Sequence, residues 1–251
     1  MGKINILGIG VDNLTSEEVV KNIKIFLKEN KPKIIYTPNT EMIMMAQKDK
    51  ELIKIINSAD LVIPDGIGLI YASKIKKNPL KERVTGFDTS LKMLEVANEE
   101  KLKVFLLGGK EGVAKAAAEK IKERYPHLYI SGYNNGYFKG AHTGFPGNDE
   151  ELEVIRKIND SEPDILFVGL GIPKQEKWIN LYKDKLKCKV IIGNGGTMDI
   201  IAGNLKRAPE VFQRLGLEWF YRLIKEPSRI KRQIVLPQFI LKVIFNKDAV
   251  K

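Results

Sequence analysis

Asp65 is the residue of this chain best placed to act as a catalytic base. It follows an apolar run at residues 61–63 that predicts a buried strand, and Pro64 and Gly66 restrict its backbone. A carboxylate near apolar walls can acquire a raised pKa and accept a proton from a substrate. The same position also suits the N-cap of a helix predicted from residue 67. The local sequence leaves both roles open.

Polar residues and glycines also follow the other predicted strands. They are Thr37 and Asn39, Gly108 and Gly109, Gly169 and Gly171 with Gln175 beyond them, and Gly195 with Asp199. In open parallel sheets, ligands bind beyond the carboxyl ends of the strands. Glycines let a backbone approach a ligand, and helix N-termini offer N–H groups to phosphate. Each cluster alone is equally a tight turn, but together they favour a phosphorylated ligand.

Several of these residues have a structural alternative. Asp199 suits either a ligand contact or a turn after the glycines. Arg83 and Thr85 would hold phosphate or belong to a solvated loop. Gln175 and Glu176 would contact a sugar or base, or open a helix. The residues alone do not decide between these roles.

The nucleotide-binding signatures of other enzyme classes are incomplete or absent. No P-loop motif occurs. Gly8 and Gly10 follow the first predicted strand, but Asn13 replaces the third glycine of a dinucleotide fingerprint. No Asp-x-Asp pair is present to hold a metal-bound diphosphate. Arginines, lysines and backbone N–H groups would therefore have to meet diphosphate charge.

The cysteine and histidine content predicts neither a disulfide nor a metal site. Cys188 is the single cysteine, and the two histidines, His127 and His142, lie in unrelated contexts. One cysteine cannot form an intramolecular disulfide, which fits a reducing compartment. No His/Cys metal cluster can be built from these residues. We therefore expect no cofactor and no metal.

Strand and helix patterns alternate along the chain. Apolar β-rich runs predict strands at residues 3–9, 33–37, 61–63, 103–107, 128–131, 164–168 and 189–192. Amphipathic segments separate them, the first opened by a capping box at residues 15–18. This alternation predicts an α/β fold: a Rossmann-like, mainly parallel sheet with helices on both faces. Residues 136–148 are Gly-rich and predict a surface loop remote from the chemistry.

Residues 203–251 differ in charge from the rest of the chain. They carry 11 Lys and Arg against 4 Asp and Glu, a balance of +7 within a total of +11. Apolar residues at Val211, Leu215, Trp219 and Leu223 recur at helical spacing. A basic, aromatic amphipathic helix suits an anionic membrane surface, and also docking on its own core. Nucleic acid fits less well. An unoccupied apolar face would also favour a homo-oligomer.

These features predict two units, a catalytic domain at 1–202 and a basic helical appendage at 203–251. No apolar run is long enough to cross a bilayer, because Pro237 and Lys242 interrupt the best candidate. The N-terminus is not typical of a signal peptide. We therefore expect a cytoplasmic protein associated peripherally with the inner face of the membrane.

Ordered motifs along nearly the whole chain resemble a known family. They read TPNTEMIMMAQ, ADLVIPDGIGL, ERVTGFD, VFLLGGKEGVA, LFVGLGIPKQEKWI and GNGGTMDIIAGNLKRAPEVFQRLGLEWFYRL, followed by KEPSR. Together they are similar to the WecG/TagA/CpsF family, glycosyltransferase family 26. Two departures stand out. Met198 replaces the usual aromatic residue before the aspartate, and residues 140–148 match no family segment that we identify.

The resemblance implies a reaction and roles for particular residues. It implies an inverting, metal-independent transfer of N-acetylmannosamine from its UDP donor to the 4-hydroxyl of N-acetylglucosamine on undecaprenyl diphosphate. Asp65 would be the base, with Thr37 and Asn39 orienting sugar hydroxyls. Arg83, Gln175 and Asp199 would hold donor or acceptor, beside Gly108, Gly109 and Gly195. Residues Arg214, Trp219, Arg222, Arg229 and Arg232 would meet the lipid diphosphate and the membrane.

Other functions predict different behaviour. One alternative is a transferase of the same family that uses UDP-N-acetylmannosaminuronic acid or UDP-glucose as its donor. A nicotinamide-dependent oxidoreductase would bind NAD(P), although the broken glycine fingerprint argues against it. In a non-catalytic membrane-binding module, Asp65→Asn would leave every measurable activity unchanged.

Overall fold

A computed structural model describes residues 2–251, except for the side chains of Arg229 and Lys231. The role expected for Arg229 therefore lies outside the described residues. The strands are β1 (Lys3–Ile6), β2 (Ile9–Asp12), β3 (Lys33–Tyr36), β4 (Leu61–Val62), β5 (Lys103–Gly108), β6 (Tyr129–Asn134), β7 (Ile165–Gly169) and β8 (Val190–Gly193). The helices up to the last strand are α1 (Ser16–Phe26), α2 (Thr40–Ala46), α3 (Lys50–Asn57), α4 (Ile67–Ile75), α5 (Gly86–Glu99), α6 (Val113–Arg124), α7 (Asp149–Ser161) and α8 (Lys174–Tyr182). The helices after it are α9 (Thr197–Ile201), α10 (Glu210–Arg214), α11 (Glu218–Lys225), α12 (Ile230–Gln233) and α13 (Val235–Phe245).

Across residues 2–251, six strands form one parallel sheet in the order β4-β3-β8-β7-β5-β6. Side chains alternate across it, so Ile34 and Tyr36 join the core on one face and Ile35 joins the core on the other. Helices α1, α5, α6 and α9 cover one face, and α2, α3, α4, α7, α8 and α13 cover the other. The predicted Rossmann-like α/β class is confirmed.

The N-terminal segment is a separate hairpin and not the first strand of that sheet. β1 and β2 pair antiparallel around Leu7 and Gly8, which both have positive φ. The Asn5 side chain accepts a hydrogen bond from the Gly8 N–H at 2.9 Å and closes the turn. The single strand predicted at residues 3–9 is therefore wrong. The glycines of the partial dinucleotide fingerprint lie in this hairpin, away from the carboxyl ends of the parallel strands.

The basic segment at 203–251 has two different parts. α13 packs against α2 and α4, and its Phe239 and Val243 are fully buried. By contrast, none of the side chains that the structure describes in α10 and α11 is fully buried. The two helices are separated at Gly216, whose φ is 70°. A Cβ there would lie 2.6 Å from Ile67. The continuous helical stripe predicted through residues 211–223 is thus broken into two short helices.

After α13 the chain returns to the hairpin. The backbone N–H of Asn5 donates to Lys251 O at 2.8 Å, and Ile6 pairs with Val250. The segment α10–α12 is consequently tethered at both ends, by α9 and by the buried α13. The division into domains at 1–202 and 203–251 remains a prediction. Within the described residues, no helix has both the length and the apolarity needed to cross a membrane.

Candidate functional site

A cavity of about 1020 Å³ opens beyond the carboxyl ends of the parallel strands. It is where the fold predicts a ligand, since every strand of the sheet ends at this edge. The lining includes the expected residues Thr37, Asn39, Asp65, Arg83, Gly109, Gln175, Gly195, Asp199, Trp219, Arg222 and Arg232. Residues that are far apart in sequence thus meet around one space large enough for a substrate.

Asp65 lies immediately after β4 and faces the cavity. Gly66 is the N-cap of α4 and that helix has no side-chain cap, so the N-cap alternative for Asp65 is excluded. Asp65 is partly exposed to the cavity but densely surrounded by protein, and burial raises the pKa of its carboxyl group. Arg83 and the Gly86 N–H oppose this increase in pKa. The carboxylate therefore combines increased basicity with access to a ligand.

Arg83 links Asp65 to the basic segment. Its Nε donates to the Asp65 backbone carbonyl at 3.1 Å, and its guanidinium forms an ion pair with Glu218 at the start of α11. Arg207 joins the same cluster. Its Nη2 lies 2.8 Å from Asp88, its Nε lies 3.8 Å from Glu218, and its guanidinium lies 4.7 Å from the Phe87 ring centroid. These ion pairs hold α11 over the cavity.

No role was predicted for Arg207, although it lies in the RAPE motif, which was the available signal. Asp88, to which it pairs, also accepts a hydrogen bond from the Thr85 hydroxyl at 2.7 Å. Thr85 is the side-chain N-cap of α5.

A buried polar network supports the middle of the cavity. Thr37 Oγ1 donates to Gly193 O at 3.2 Å. Gln175, only 2% exposed, accepts from the Gly195 N–H at 3.2 Å and donates to Glu176 at 2.8 Å. Burial raises the pKa of Glu176 to about 7. Gln175 therefore positions the glycine loop after β8.

The other expected residues have distinct placements. Asn39 caps α2 by accepting from the Met42 N–H at 3.0 Å. Asp199 faces the cavity from the first turn of α9, and none of the described residues pairs with its carboxylate. Gly108 ends β5 and packs against Gly169 instead of lining the cavity. The Gly109 N–H donates to Gly169 O at 3.2 Å, which joins the ends of β5 and β7.

The residues of the basic segment that were expected to meet the lipid lie partly in the cavity lining and partly on the outer surface. Trp219 and Arg222 line the cavity from α11, and Arg222 is near enough to Asp65 to lower the pKa of that carboxyl group. Arg232 also lines the cavity and donates to both oxygens of Glu41, at 2.8 and 2.9 Å. Arg214 lies on the outer surface, 81% exposed, paired with Glu210.

Residues 136–148 form one wall of the cavity, contrary to the prediction of a remote surface loop. Tyr137, Lys139, His142 and Phe145 all belong to the lining. Sequence periodicity gave no signal for this, because the loop is held by contacts to distant helices. Among residues 2–251, no group of three or more His, Cys, Asp or Glu side chains is arranged to hold a metal ion.

Fold and cavity together define a Rossmann-like α/β protein with a large, cation-lined ligand site at the sheet edge. Comparison with known proteins narrows this class. A family model described as "Glycosyl transferase WecG/TagA/CpsF family" matches residues 4–250. The chain therefore belongs to this family and is a glycosyltransferase, as the sequence motifs indicated.

Curated relatives cover most of the chain. One from Bacillus subtilis (strain 168) is 40% identical over 211 residues, 84% of this chain and 78% of the relative. One from Staphylococcus aureus (strain MRSA252) is 34% identical over 251 residues, 99% of this chain and 95% of the relative. A third, from Bacillus spizizenii, is 36% identical and covers 89% of this chain and 83% of the relative. All three are named N-acetylglucosaminyldiphosphoundecaprenol N-acetyl-beta-D-mannosaminyltransferase.

Proposed function

We propose that this protein transfers N-acetylmannosamine from UDP-N-acetylmannosamine to the 4-hydroxyl of N-acetylglucosamine on undecaprenyl diphosphate, with inversion. The product would be the β-1,4-linked disaccharide lipid used in wall teichoic acid linkage-unit synthesis. The names of the relatives support the acceptor and the transferred sugar. The observation that carries the proposal is Asp65, a carboxylate with a burial-raised pKa that faces the cavity beside Arg83.

The proposed chemistry is a single in-line displacement. Asp65 removes the proton of the acceptor 4-hydroxyl while that oxygen forms a bond to the anomeric carbon of the donor. The bond from this carbon to the UDP oxygen breaks on the opposite face, and UDP leaves as an anion. Thr37 and Asn39 lie on the neighbouring strand end, where they would orient sugar hydroxyls. Arg83, Arg207 and Arg222 would offset diphosphate charge in the acceptor or leaving group.

The same arrangement favours transfer without a metal ion. Guanidinium groups at the cavity can pair with diphosphate oxygens directly and bidentately. The sequence lacks the Asp-x-Asp pair that would otherwise hold a metal-bound diphosphate. We therefore expect turnover to continue in EDTA.

The outer surface of the basic segment supports membrane association. Its exposed large apolar side chains are Val211, Leu215, Phe220, Ile224, Ile230 and Ile234, with Leu241, Ile244 and Phe245 on α13. The basic side chains of Arg214 and Lys225 lie exposed among them. Apolar residues mixed with basic ones suit an anionic bilayer, which would also hold the lipid acceptor. This surface and the cavity share α11, so docking would bring the acceptor diphosphate near Arg222.

The central experiment measures UDP release from UDP-N-acetylmannosamine, with a diphosphate-lipid-linked N-acetylglucosamine acceptor and EDTA present. We expect acceptor-dependent release by the wild type, and a loss of at least about 100-fold in Asp65→Asn, because the base is gone. Asp184→Asn, a change at an exposed aspartate outside the cavity, should retain full activity. Wild-type release that Asp65→Asn leaves intact would remove Asp65 as the base. UDP release only from UDP-N-acetylmannosaminuronic acid or UDP-glucose would show that the donor carries a different sugar.

Membrane association is tested by surface substitutions. Removing residues 203–251 would also remove the buried Phe239 and Val243, so truncation confounds docking with folding. Val211→Ser/Leu215→Ser changes two side chains that are 64% and 59% exposed. We expect this variant to lose binding to anionic vesicles while keeping turnover with a short-chain soluble acceptor. Leu181→Ser, at a 51% exposed site on α8, should bind vesicles normally. Equal vesicle binding by all three proteins would contradict the proposal.

A further inference from the structure

We propose that a second cavity, bounded by α5, α6 and α9, is a binding site for an amphiphile with one apolar chain and a carboxylate head. This cavity measures about 500 Å³. It lies on the face of the sheet that α1, α5, α6 and α9 cover, and the proposed transfer reaction gives it no role. The inference therefore goes beyond that reaction and does not depend on it.

The interior of the second cavity is apolar. Leu91 and Leu94 line it from α5, Ile121 lines it from α6, and Ile201 lines it from α9. Leu94 and Ile121 are each only 1% exposed, so they form its buried part. A volume of about 500 Å³ falls within the range of small-molecule sites, roughly 300–1,000 Å³. The space therefore suits a short hydrocarbon chain.

A buried hydroxyl group at this cavity lacks a partner. Tyr125 follows the last residue of α6, lines the cavity and is 7% exposed. Its hydroxyl group is buried, and none of the described residues forms a hydrogen bond with it. Buried polar groups are nearly always paired, because leaving one unpaired costs free energy. A ligand with a hydrogen-bond acceptor would supply the missing partner.

The rim of the second cavity carries positive charge. The exposed Arg124 guanidinium lies 5.3 Å from the Tyr125 ring centroid, and within the described part of the chain it forms no ion pair with a carboxylate. Lys120, one turn earlier, lies 3.7 Å from Glu123, and both are exposed. Basic residues are common in the last turn of a helix, so their charge alone does not indicate a ligand. An unpaired guanidinium beside an unpaired buried hydroxyl does, since an acid group can accept from both.

Walls and rim together determine the class of ligand. The apolar interior offers few polar groups to a sugar or a base, so a nucleotide fits poorly. Glu123 lies on the same rim as Arg124, and its negative charge disfavours a doubly charged phosphate head. A singly charged carboxylate on a hydrocarbon chain matches both the basic rim and the apolar interior.

The second cavity shares two side chains with the larger cavity at the strand ends. Phe87 and Ile200 line both. The Phe87 ring also lies 4.7 Å from the Arg207 guanidinium, and Ile200 directly follows Asp199. An amphiphile at this site would therefore contact residues that also bound the larger cavity. Any effect of its binding on a ligand in the larger cavity would be reciprocal.

Calorimetric titration with decanoate, below the concentration at which it forms micelles, tests the assignment. We expect saturable binding by the wild type, and weaker binding of decanol, which has no charge. Tyr125→Phe removes only the hydroxyl group and should weaken decanoate binding about ten-fold. Arg124→Ala should weaken it about three-fold at low salt. Decanoate should also slow amide hydrogen exchange at residues 120–125 and 197–201 of the wild type.

Matched variants separate this site from other surfaces. Tyr129→Phe changes an exposed tyrosine of β6, and Lys115→Ala changes an exposed lysine of α6 outside both cavities. Val211→Ser/Leu215→Ser alters the exposed apolar surface of α10, where an amphiphile could also bind. All three should bind decanoate as the wild type does. Without ligand, Tyr125→Phe should be no less stable than the wild type, because the hydroxyl group it loses has no partner.

Each outcome decides for or against the site. Decanoate binding that Tyr125→Phe weakens and Tyr129→Phe leaves unchanged supports it. No saturable binding by the wild type, or equal affinity in Tyr125→Phe, overturns it. Loss of binding in Val211→Ser/Leu215→Ser instead would place decanoate on the surface of α10 and overturns it as well. None of these measurements involves sugar transfer, so failure of the proposed function would be recognised separately.

Discussion

Two walls of the cavity at the strand ends are built in opposite ways. The loop at 136–148 is held by the buried Glu151 and by inward-facing aromatic rings. The segment α10–α12 is held by ion pairs from Arg83, Arg207 and Arg232, with no fully buried side chain among those described in α10 and α11. Buried hydrogen bonds are insensitive to salt, whereas partly exposed ion pairs are screened. The difference predicts that salt loosens the α10–α12 wall and leaves the wall at residues 136–148 in place.

Glu151→Gln should produce the largest change, because it breaks the wall at residues 136–148. An amide N–H₂ would face the Ala141 and Gly147 N–H groups, which are themselves donors, so at least one buried donor loses its acceptor. We expect the free energy of unfolding to fall by about 3 kcal/mol. Urea denaturation measures this loss, and limited proteolysis should then cut within 136–148.

Glu150→Gln is the matched control. Glu150 is the neighbouring residue but is exposed, and it accepts one N–H, from Lys139, at 2.8 Å. A Glu151→Gln variant no less stable than Glu150→Gln would show that buried hydrogen bonds do not hold this wall.

Glu176→Gln removes a buried carboxyl group beneath the cavity, and its effect is measured as a change in the pH dependence of stability. Since the folded state raises the pKa of Glu176 from 4.5 to about 7, it binds a proton more tightly than the unfolded state. The wild type should therefore lose stability as pH rises from 4.5 to about 7, by roughly 2 kcal/mol, and the variant should not. Unfolding curves at pH 5 and pH 8 measure the difference. Parallel pH dependence of the two proteins would contradict a buried titrating carboxyl group here.

Glu218→Gln should have the smallest effect on stability and the most local one. It removes the carboxylate that pairs with Arg83 and lies near Arg207. We expect the free energy of unfolding to fall by about 1 kcal/mol, because the pair is only partly buried and a glutamine can still accept a hydrogen bond from Arg83. Amide hydrogen exchange in α11 should nevertheless become faster, and 0.5 M NaCl should accelerate it in the wild type as well. Equal acceleration in residues 136–148 would mean that the two walls do not differ as described.

Strand ends made much of this site predictable. Thr37, Asp65, Gly109 and Gly195 could be assigned to one edge because parallel strands all end there, which depends only on local apolar runs. The loop at 136–148 could not be predicted, because its conformation depends on Trp178 and Tyr182 through Glu151. No local pattern encodes contacts over such distances.

Three other features were missed for different physical reasons. The β1–β2 turn was missed because Leu7, which adopts φ of 51°, is not a residue typical of turns. The break between α10 and α11 carried a usable signal, Gly216, which the helical apolar spacing obscured. Arg207 lies within a motif, but its role could not be predicted, since its partners Asp88 and Glu218 come from separate elements.

The pairing of Ile6 with Val250 has a consequence for the order of folding. The β1–β2 hairpin leaves the ribosome well before Val250, the residue whose pairing extends it. Contacts between residues so distant in sequence form late, because the loop they close spans residues 6–250. During synthesis the edge of β1 stays open, and its backbone groups are available to incorrect partners. Docking of α13 and the pairing of Val250 with Ile6 would therefore complete folding. Only then would α10–α12 be held at both ends.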